Sequence, residues 1–146
     1  MVLIKHIMVP YSPSEAFYRA FKKSLDMAKQ NHAKLTLVKT ISYPAGMGLD
    51  MTVVMNSASS EHTIQEFGKI LPNLQNEAFL AKVDFHFEII DTQSSSANAI
   101  VEFASKNNVD LMILSGIQKG WKKYLTSDIS QEIINLNPPC SVILAE

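Results

Sequence analysis

The segment LMILSGIQKGWKKYLTSDIS, from Leu111 to Ser130, carries the residues best suited to hold a phosphate group. Its two glycines allow backbone N–H groups to approach an anion closely, and a lysine between them supplies positive charge. Hydroxyl-bearing residues then precede an apolar stretch of helical spacing, and a helix N-terminus favours an anion. The candidate residues of this loop are Gly116, Lys119, Gly120, Thr126, Ser127, Asp128 and Ser130.

Other candidate groups stand where the first two apolar runs of the chain end. Pro10, Tyr11 and Ser12 close the first run, and Thr40 closes the second. The carboxyl ends of parallel strands share one edge of a sheet, so these groups could face the same ligand as the glycine loop. Ser12 also has a structural interpretation, because it precedes Pro13 and stands three residues before Glu15. That capping-box pattern predicts Ser12 as a helix N-cap.

The remaining reactive residue types give no catalytic or metal-binding pattern. No serine lies in a Gly-X-Ser-X-Gly elbow, and no Gly-X-Gly-X-X-Gly follows the first apolar run. The single cysteine, Cys140, heads an apolar run and is predicted to be a buried small hydrophobe. Four histidines fall on separate elements without the spacing of metal ligands: His6, His32, His62 and His86. We therefore assign no catalytic residue and no metal site.

Composition narrows the class of protein. A chain of 146 residues with 47% hydrophobic residues predicts one folded domain over residues 1–146. The formal net charge of -1 offers no broad basic face, so we expect no binding to nucleic acid. The apolar N-terminal stretch is short and is interrupted by Lys5 and His6, unlike a signal peptide, and no segment resembles a membrane span. We expect a cytoplasmic protein.

Strand and helix patterns alternate along the chain. The predicted strands are VLIKHIMVP, AKLTLVKT, KVDFHFEII, VDLMILSG and CSVILAE. Helices are predicted from Ser12 to Asn31, from about Ser60 to Lys82 with a kink or break at Pro72, after the serines at 94–96, and after residue 128. Residues from Ile41 to about Ser57 are predicted to be a long connection, part of which packs on another surface.

This alternation predicts a doubly wound α/β domain with a five-stranded parallel sheet and helices on both faces. The first and fourth strands are almost continuously apolar and should be central, whereas KVDFHFEII alternates and should lie at an edge. The predicted strand order is 3-2-1-4-5, a Rossmann-like arrangement. A ligand would then bind between strands one and four, where the winding reverses.

Three segments resemble universal stress proteins, which have an adenine nucleotide alpha hydrolase-like fold. HIMVPYSPSEAFYRAFKKSLDMAKQNHAKLTLVKTI resembles the N-terminal half of that family. AIVEFASKNNVDLMILSG and INLNPPCSVILAE resemble its third helix, fourth strand and last strand. The resemblance implies a non-enzymatic factor of the cellular stress response.

The resemblance also exposes departures from the ATP-binding branch of the family. That branch carries Gly, two residues, Gly, nine residues, Gly and then Ser or Thr after its fourth strand. Here the glycine positions fall on Leu114, Ile117 and Ser127, and the hydroxyl position falls on Asp128. Ser12 stands where ATP-binding relatives have an aspartate. We therefore expect the branch that does not bind ATP through this motif, and no cofactor.

An alternative function is an adenine-nucleotide switch that binds ATP or AMP with magnesium and has at most slow phosphohydrolase activity. Asp128 affects how well such a ligand would bind. A carboxylate beside a triphosphate adds roughly 1–4 kcal/mol of repulsion. A divalent ion would instead make Asp128 a metal ligand, and Lys119, Lys122 and Lys123 lie in the same loop. The simpler interpretation is a helix cap beside solvated lysines.

The last strand predicts a subunit contact. Family members commonly dimerise through this strand, and its apolar edge suits pairing with a symmetry mate. We therefore expect a homodimer, with unidentified protein partners beyond it. Trp121 is interpreted as a packing or subunit contact. The predicted dimer seam consists of Ser141, Val142, Ile143, Leu144 and Ala145.

Overall fold

The computed structural model describes residues 3–42, 49–116 and 129–145. Its strands are β1 (His6–Pro10), β2 (Lys34–Ser42), β3 (Asp84–Thr92), β4 (Leu111–Ser115) and β5 (Ser141–Ala145). Its helices are α1 (Glu15–Asn31), α2 (Leu49–Leu80), α3 (Ser96–Lys106) and α4 (Ile129–Asn135). Within these residues, no helix has both the length and the apolar character that crossing a membrane requires.

All strand pairs are parallel, and the strand order is β3-β2-β1-β4-β5. This confirms the predicted order, the alternating edge strand and the central position of β1. The apolar residues of β1 lie in the core of the domain because both faces of the strand are covered. Ile7 and Val9 face one layer, whereas Met8 faces the other. The first layer includes α1 and α2, and the second includes α3 and α4.

The start of α1 corrects the capping prediction. Ser14, not Ser12, is the N-cap, because its side chain accepts the N–H of Phe17 at 3.2 Å and its backbone is extended. Pro13 precedes the cap, and the helix begins at Glu15, the first residue after it. A capping box needs the glutamate at the third helical position, so Glu15 cannot complete one. The hydroxyl of Ser12 lies 3.1 Å from that of Ser14.

Helix α2 differs from the predicted boundaries. It begins at Leu49, inside the segment interpreted as a connection, and continues through Pro72 to Leu80. Pro72 removes one helical hydrogen bond, but the helix is not split there. Phe67, Leu74 and Ala78 are buried on the sheet side. Residues 43–48 of the predicted connection, which include Pro44, Gly46 and Gly48, lie outside the described residues.

A buried polar network closes the amino end of the sheet. His6 Nδ1 lies 3.0 Å from the carbonyl oxygen of Asn107, and Nε2 lies 2.7 Å from Oγ1 of Thr36. Because a carbonyl only accepts, Nδ1 carries the proton and the neutral ring accepts from Thr36. The carboxylate of Asp110 accepts the N–H groups of Lys5 and His6 at 2.8 and 3.0 Å. Burial lowers the pKa of His6. The hydrogen bond with the Asn107 carbonyl and the charge of Asp110 act in the opposite direction, whereas Lys34 and His86 lower the pKa further.

Candidate functional site

The strands separate where the winding of the sheet reverses. β1 pairs with β2 from His6 to Pro10, but its pairing with β4 covers only Ile7 with Leu111 and Met8 with Met112. The β1–β4 ladder therefore ends before the last residues of both strands, and we call the region beyond it the crevice. This is the location at which doubly wound sheets bind ligands.

Tyr11, immediately after β1, is held in place by aromatic packing. Its N–H donates to the carbonyl of Val38 at 2.8 Å, which extends the β1–β2 ladder by one bond. Its ring meets the rings of Phe17 and Phe67 edge to face, with centroids 5.0 and 5.1 Å away. Burial raises the pKa of the Tyr11 phenol, with smaller contributions from Tyr18 and Glu66. The side chain therefore links β1 to α1 and α2.

Lys39 is a charged residue of this region that the sequence interpretation missed. Its Nζ donates to the carbonyl of Thr40 at 3.0 Å and lies 5.7 Å from the ring centroid of Tyr11. Burial lowers the pKa of Lys39, whereas the charge of Glu66 raises it. A lysine within the apolar run LTLVKTI was a signal of such a buried cation. The predicted site residue Thr40 contributes its carbonyl to this cation.

The carboxyl end of β4 is closed by α4. Ser130 is only 4% exposed, and its Oγ donates to the carbonyl of Ser115 at 2.9 Å. Leu114 is 2% exposed and packs in the same cluster as Met8 and Ile133. Gly116 follows as a half-buried residue outside the strand. Two predicted site residues, Gly116 and Ser130, thus lie at one end of β4, and the Ser130 hydroxyl joins helix to strand.

The other predicted loop residues lie outside the described residues. They are Lys119, Gly120, Thr126, Ser127 and Asp128, together with Ile117, Trp121, Lys122 and Lys123 of the same segment. Their predicted roles stay predictions.

A cavity of about 520 Å³ opens beside the end of β1, on the side of α1 and α2. The predicted site residues Tyr11 and Ser12 line it, whereas Thr40, Gly116 and Ser130 do not. The sequence did not predict the other residues that line the cavity, which lie at the start of α1 and in the middle of α2. They are Pro13, Ser14, Glu15, Tyr18, Glu66, Lys69 and Ile70.

The cavity combines aromatic faces with both signs of charge. Tyr11 and Tyr18 supply rings and hydroxyls, whereas Glu15, Glu66 and Lys69 supply charge. Among residues whose positions are described, no group of three or more histidine, cysteine, aspartate or glutamate side chains could hold a metal ion. Cys140 is half-buried just before β5, and burial raises the pKa of its thiol.

The model of the universal stress protein family matches residues 3–145, almost the whole chain. The chain belongs to the universal stress protein family. A universal stress protein of Methanocaldococcus jannaschii is 26% identical over 145 residues, which cover 99% of this chain and 83% of that relative. The resemblance seen in the sequence is thereby confirmed.

Solved structures share the fold of this universal stress protein. A family member from Burkholderia pseudomallei superposes with a TM-score of 0.74 at 16% identity, covering 97% of this chain and 96% of that chain. The universal stress protein from Archaeoglobus fulgidus in complex with dAMP gives a TM-score of 0.67 at 14% identity, covering 99% and 100%. At these identities the likeness establishes the fold alone.

Two departures from the ATP-binding branch of the family fall within the described residues. Leu114, which the sequence comparison set at the branch's first glycine, lies inside β4 and is buried in the same cluster as Met8 and Ile133, and the residue directly after the strand is Gly116. Ser12, at the position of the branch's aspartate, is engaged with the hydroxyl of the helix cap Ser14.

Proposed function

We propose that this universal stress protein is a non-enzymatic, dimeric, cytoplasmic factor of the stress response that works without ATP bound through the glycine motif. The observation that carries the proposal is that two predicted ligand groups are already bonded within the protein: the hydroxyl of Ser12 lies 3.1 Å from that of the helix cap Ser14, and the hydroxyl of Ser130 donates to the Ser115 carbonyl. Protein association then supplies the output.

The polar groups around the crevice support the same proposal. Ser130 donates to the Ser115 carbonyl, and Lys39 donates to the Thr40 carbonyl. A nucleotide that recruited either group would first break one of these bonds, and each bond contributes about 1 kcal/mol. Such costs lower the affinity for an added ligand by about tenfold per 1.4 kcal/mol.

Thermal denaturation with magnesium ATP tests the proposal. A ligand at a hundred times its dissociation constant stabilises a protein by ~2.7 kcal/mol, which raises the melting temperature of a chain of this size by roughly 5–10 °C. We expect no shift with ATP, AMP or dAMP. A saturable shift with ATP would overturn the proposal.

The second candidate is an adenine-nucleotide switch, and one observation favours it. The Archaeoglobus fulgidus protein of the same fold was solved with dAMP. Pro10, Tyr11, Ser12 and Gly116 would then border the nucleotide, with magnesium beside Asp128. Under this function a melting shift appears and is reduced in Ser12→Ala, whereas Asp26→Ala on the exposed side of α1 leaves it unchanged.

We propose the last strand as the dimer seam. Strand β5 pairs with β4 on one side, and Val142, Ile143 and Leu144 are only partly buried in the single chain. A symmetry mate on the other edge would cover them. Sedimentation of Ile143→Lys tests the seam, with circular dichroism as the folding control. A folded variant that stays fully dimeric would place the contact elsewhere.

A further inference from the structure

The opposite edge of the sheet, strand β3, has a surface that differs from the rest of the sheet. Within the described residues β3 pairs only with β2. Two of its apolar residues, Phe87 and Ile89, are 42% and 39% exposed. The ring centroids of Phe87 and Phe67 of α2 are 6.4 Å apart.

The polar face of β3 carries an imidazole between two carboxylates. His86 Nε2 lies 2.9 Å from Oδ1 of Asp84, and both side chains are about half exposed or more. Glu88 is exposed two residues further along the same face. Charges on an edge strand oppose indiscriminate pairing, but they permit a partner whose charges alternate in the complementary order.

A second copy of this strand satisfies that condition in one antiparallel register. When Phe87 faces its own copy across a two-fold axis, Phe85 faces Ile89 of the second copy, and His86 faces Glu88. A slip that centres the axis on Glu88 brings two glutamates together. A slip that centres it on His86 sets Asp84 against Glu88. A register centred on Phe85 also sets Asp84 against His86, but it pairs only residues 84–86 of the strand. Among the registers that pair at least five residues of β3, only the Phe87-centred one joins apolar with apolar side chains and an imidazole with a carboxylate.

We propose that the β3 edge is a self-association surface, at which two copies pair antiparallel about Phe87 to continue the sheet. The exposed apolar groups Phe87 and Ile89 become covered, and two His86–Glu88 pairs form per contact. This surface is independent of the β5 seam. Because the two edges are at opposite ends of one sheet, use of both generates an open chain of subunits rather than a closed dimer.

Cysteine cross-linking tests the register. In a Cys140→Ser background, Phe87→Cys places two thiols opposite each other across the axis, whereas Glu88→Cys places each thiol opposite His86. With oxidised glutathione we expect covalent dimers from Phe87→Cys and at least tenfold fewer from Glu88→Cys. The same yield from both variants, a higher yield from Glu88→Cys, or no dimers from either would overturn the proposal.

Exchanging charges supplies a second test. The substituted residues are exposed, so the changes should not disturb the fold. Glu88→Lys sets a lysine against His86 and should weaken association at the β3 edge about tenfold. Adding His86→Glu restores opposite charges and should recover it. Sedimentation in an Ile143→Lys background separates this contact from the β5 seam. Equal association of the single and double variants would contradict the proposed surface.

Discussion

Polar groups have different surroundings at the two ends of the parallel sheet. At the amino end His6 and Thr36 are buried and bonded to each other, and the Asp110 carboxylate accepts two backbone N–H groups. At the carboxyl end Ser12 lies on the wall of a cavity, and Lys39 uses a neighbouring carbonyl. Polar groups at the first end hold strands together, whereas Ser12 at the second end borders open space.

The difference follows from strand separation. β1 and β4 are paired near the amino end and no longer paired beyond Met8 and Met112. Buried polar groups need partners, and paired strands bring partners within reach. Beyond that point the end of β1 borders a cavity on the side of α1 and α2, so stability should depend strongly on the amino end and ligand contacts should arise at the carboxyl end.

The largest expected effect is at the amino end. Asp110→Ala removes the acceptor for the N–H groups of Lys5 and His6 and should cost about 3 kcal/mol of unfolding free energy. Asp26→Ala, on the exposed side of α1, should change it by less than about 0.5 kcal/mol. Urea denaturation measures both. Equal losses would remove the distinction between the network and an ordinary surface carboxylate.

At the carboxyl end the aromatic contacts of Tyr11 should give the next largest effect. Tyr11→Ala removes a partly buried ring that meets Phe17 and Phe67 and should cost about 2 kcal/mol. Tyr11→Phe keeps the ring and should cost less than about 1 kcal/mol. The comparison uses the same urea assay. A large loss in Tyr11→Phe would mean that the hydroxyl, not the ring, holds this end.

Helix capping beside the cavity should give a smaller effect. Ser14→Ala removes the acceptor of the Phe17 N–H and should cost about 1 kcal/mol, whereas Ser12→Ala should be nearly neutral. Thermal denaturation of the matched pair distinguishes them. The reverse order would restore Ser12 as the cap.

The smallest expected effect is the pH dependence from His6. Burial lowers its folded pKa, against opposing contributions from the Asn107 carbonyl and Asp110. The unfolded chain takes up the proton near about pH 6.5, so this contribution to stability is full above that pH and falls as pH decreases toward the folded pKa. His6→Gln should reduce the loss of stability measured by denaturation between about pH 7.5 and 5.5.

His32→Asn is the control for the pH experiment. His32 ends α1 in a left-handed conformation with φ of 51°, which asparagine tolerates. The variant should keep the pH dependence of the unaltered protein. If His32→Asn flattens it as much as His6→Gln does, the buried network is not the source.

Local patterns predicted the elements that carry strong periodicity. The apolar run of β1 and the alternating run of β3 led to the correct strand order, because burial on both faces and burial on one face leave different patterns. Ser12 was wrongly predicted as the cap because Ser14 offers an equally suitable hydroxyl nearer the helix. The start of α2 was missed because Pro44, Gly46 and Gly48 obscured the helical pattern that follows them.

The amino-acid sequence by itself determined the family, the parallel sheet and its strand order, since these follow from composition, period and motif. Tertiary structure alone decided that Lys39 and Glu66 adjoin Tyr11, that a cavity forms between α1 and α2, and that Asp110 closes the opposite end of the sheet. Periodicity reports which residues are buried, whereas contacts between distant segments depend on strand register and helix packing that no local pattern encodes.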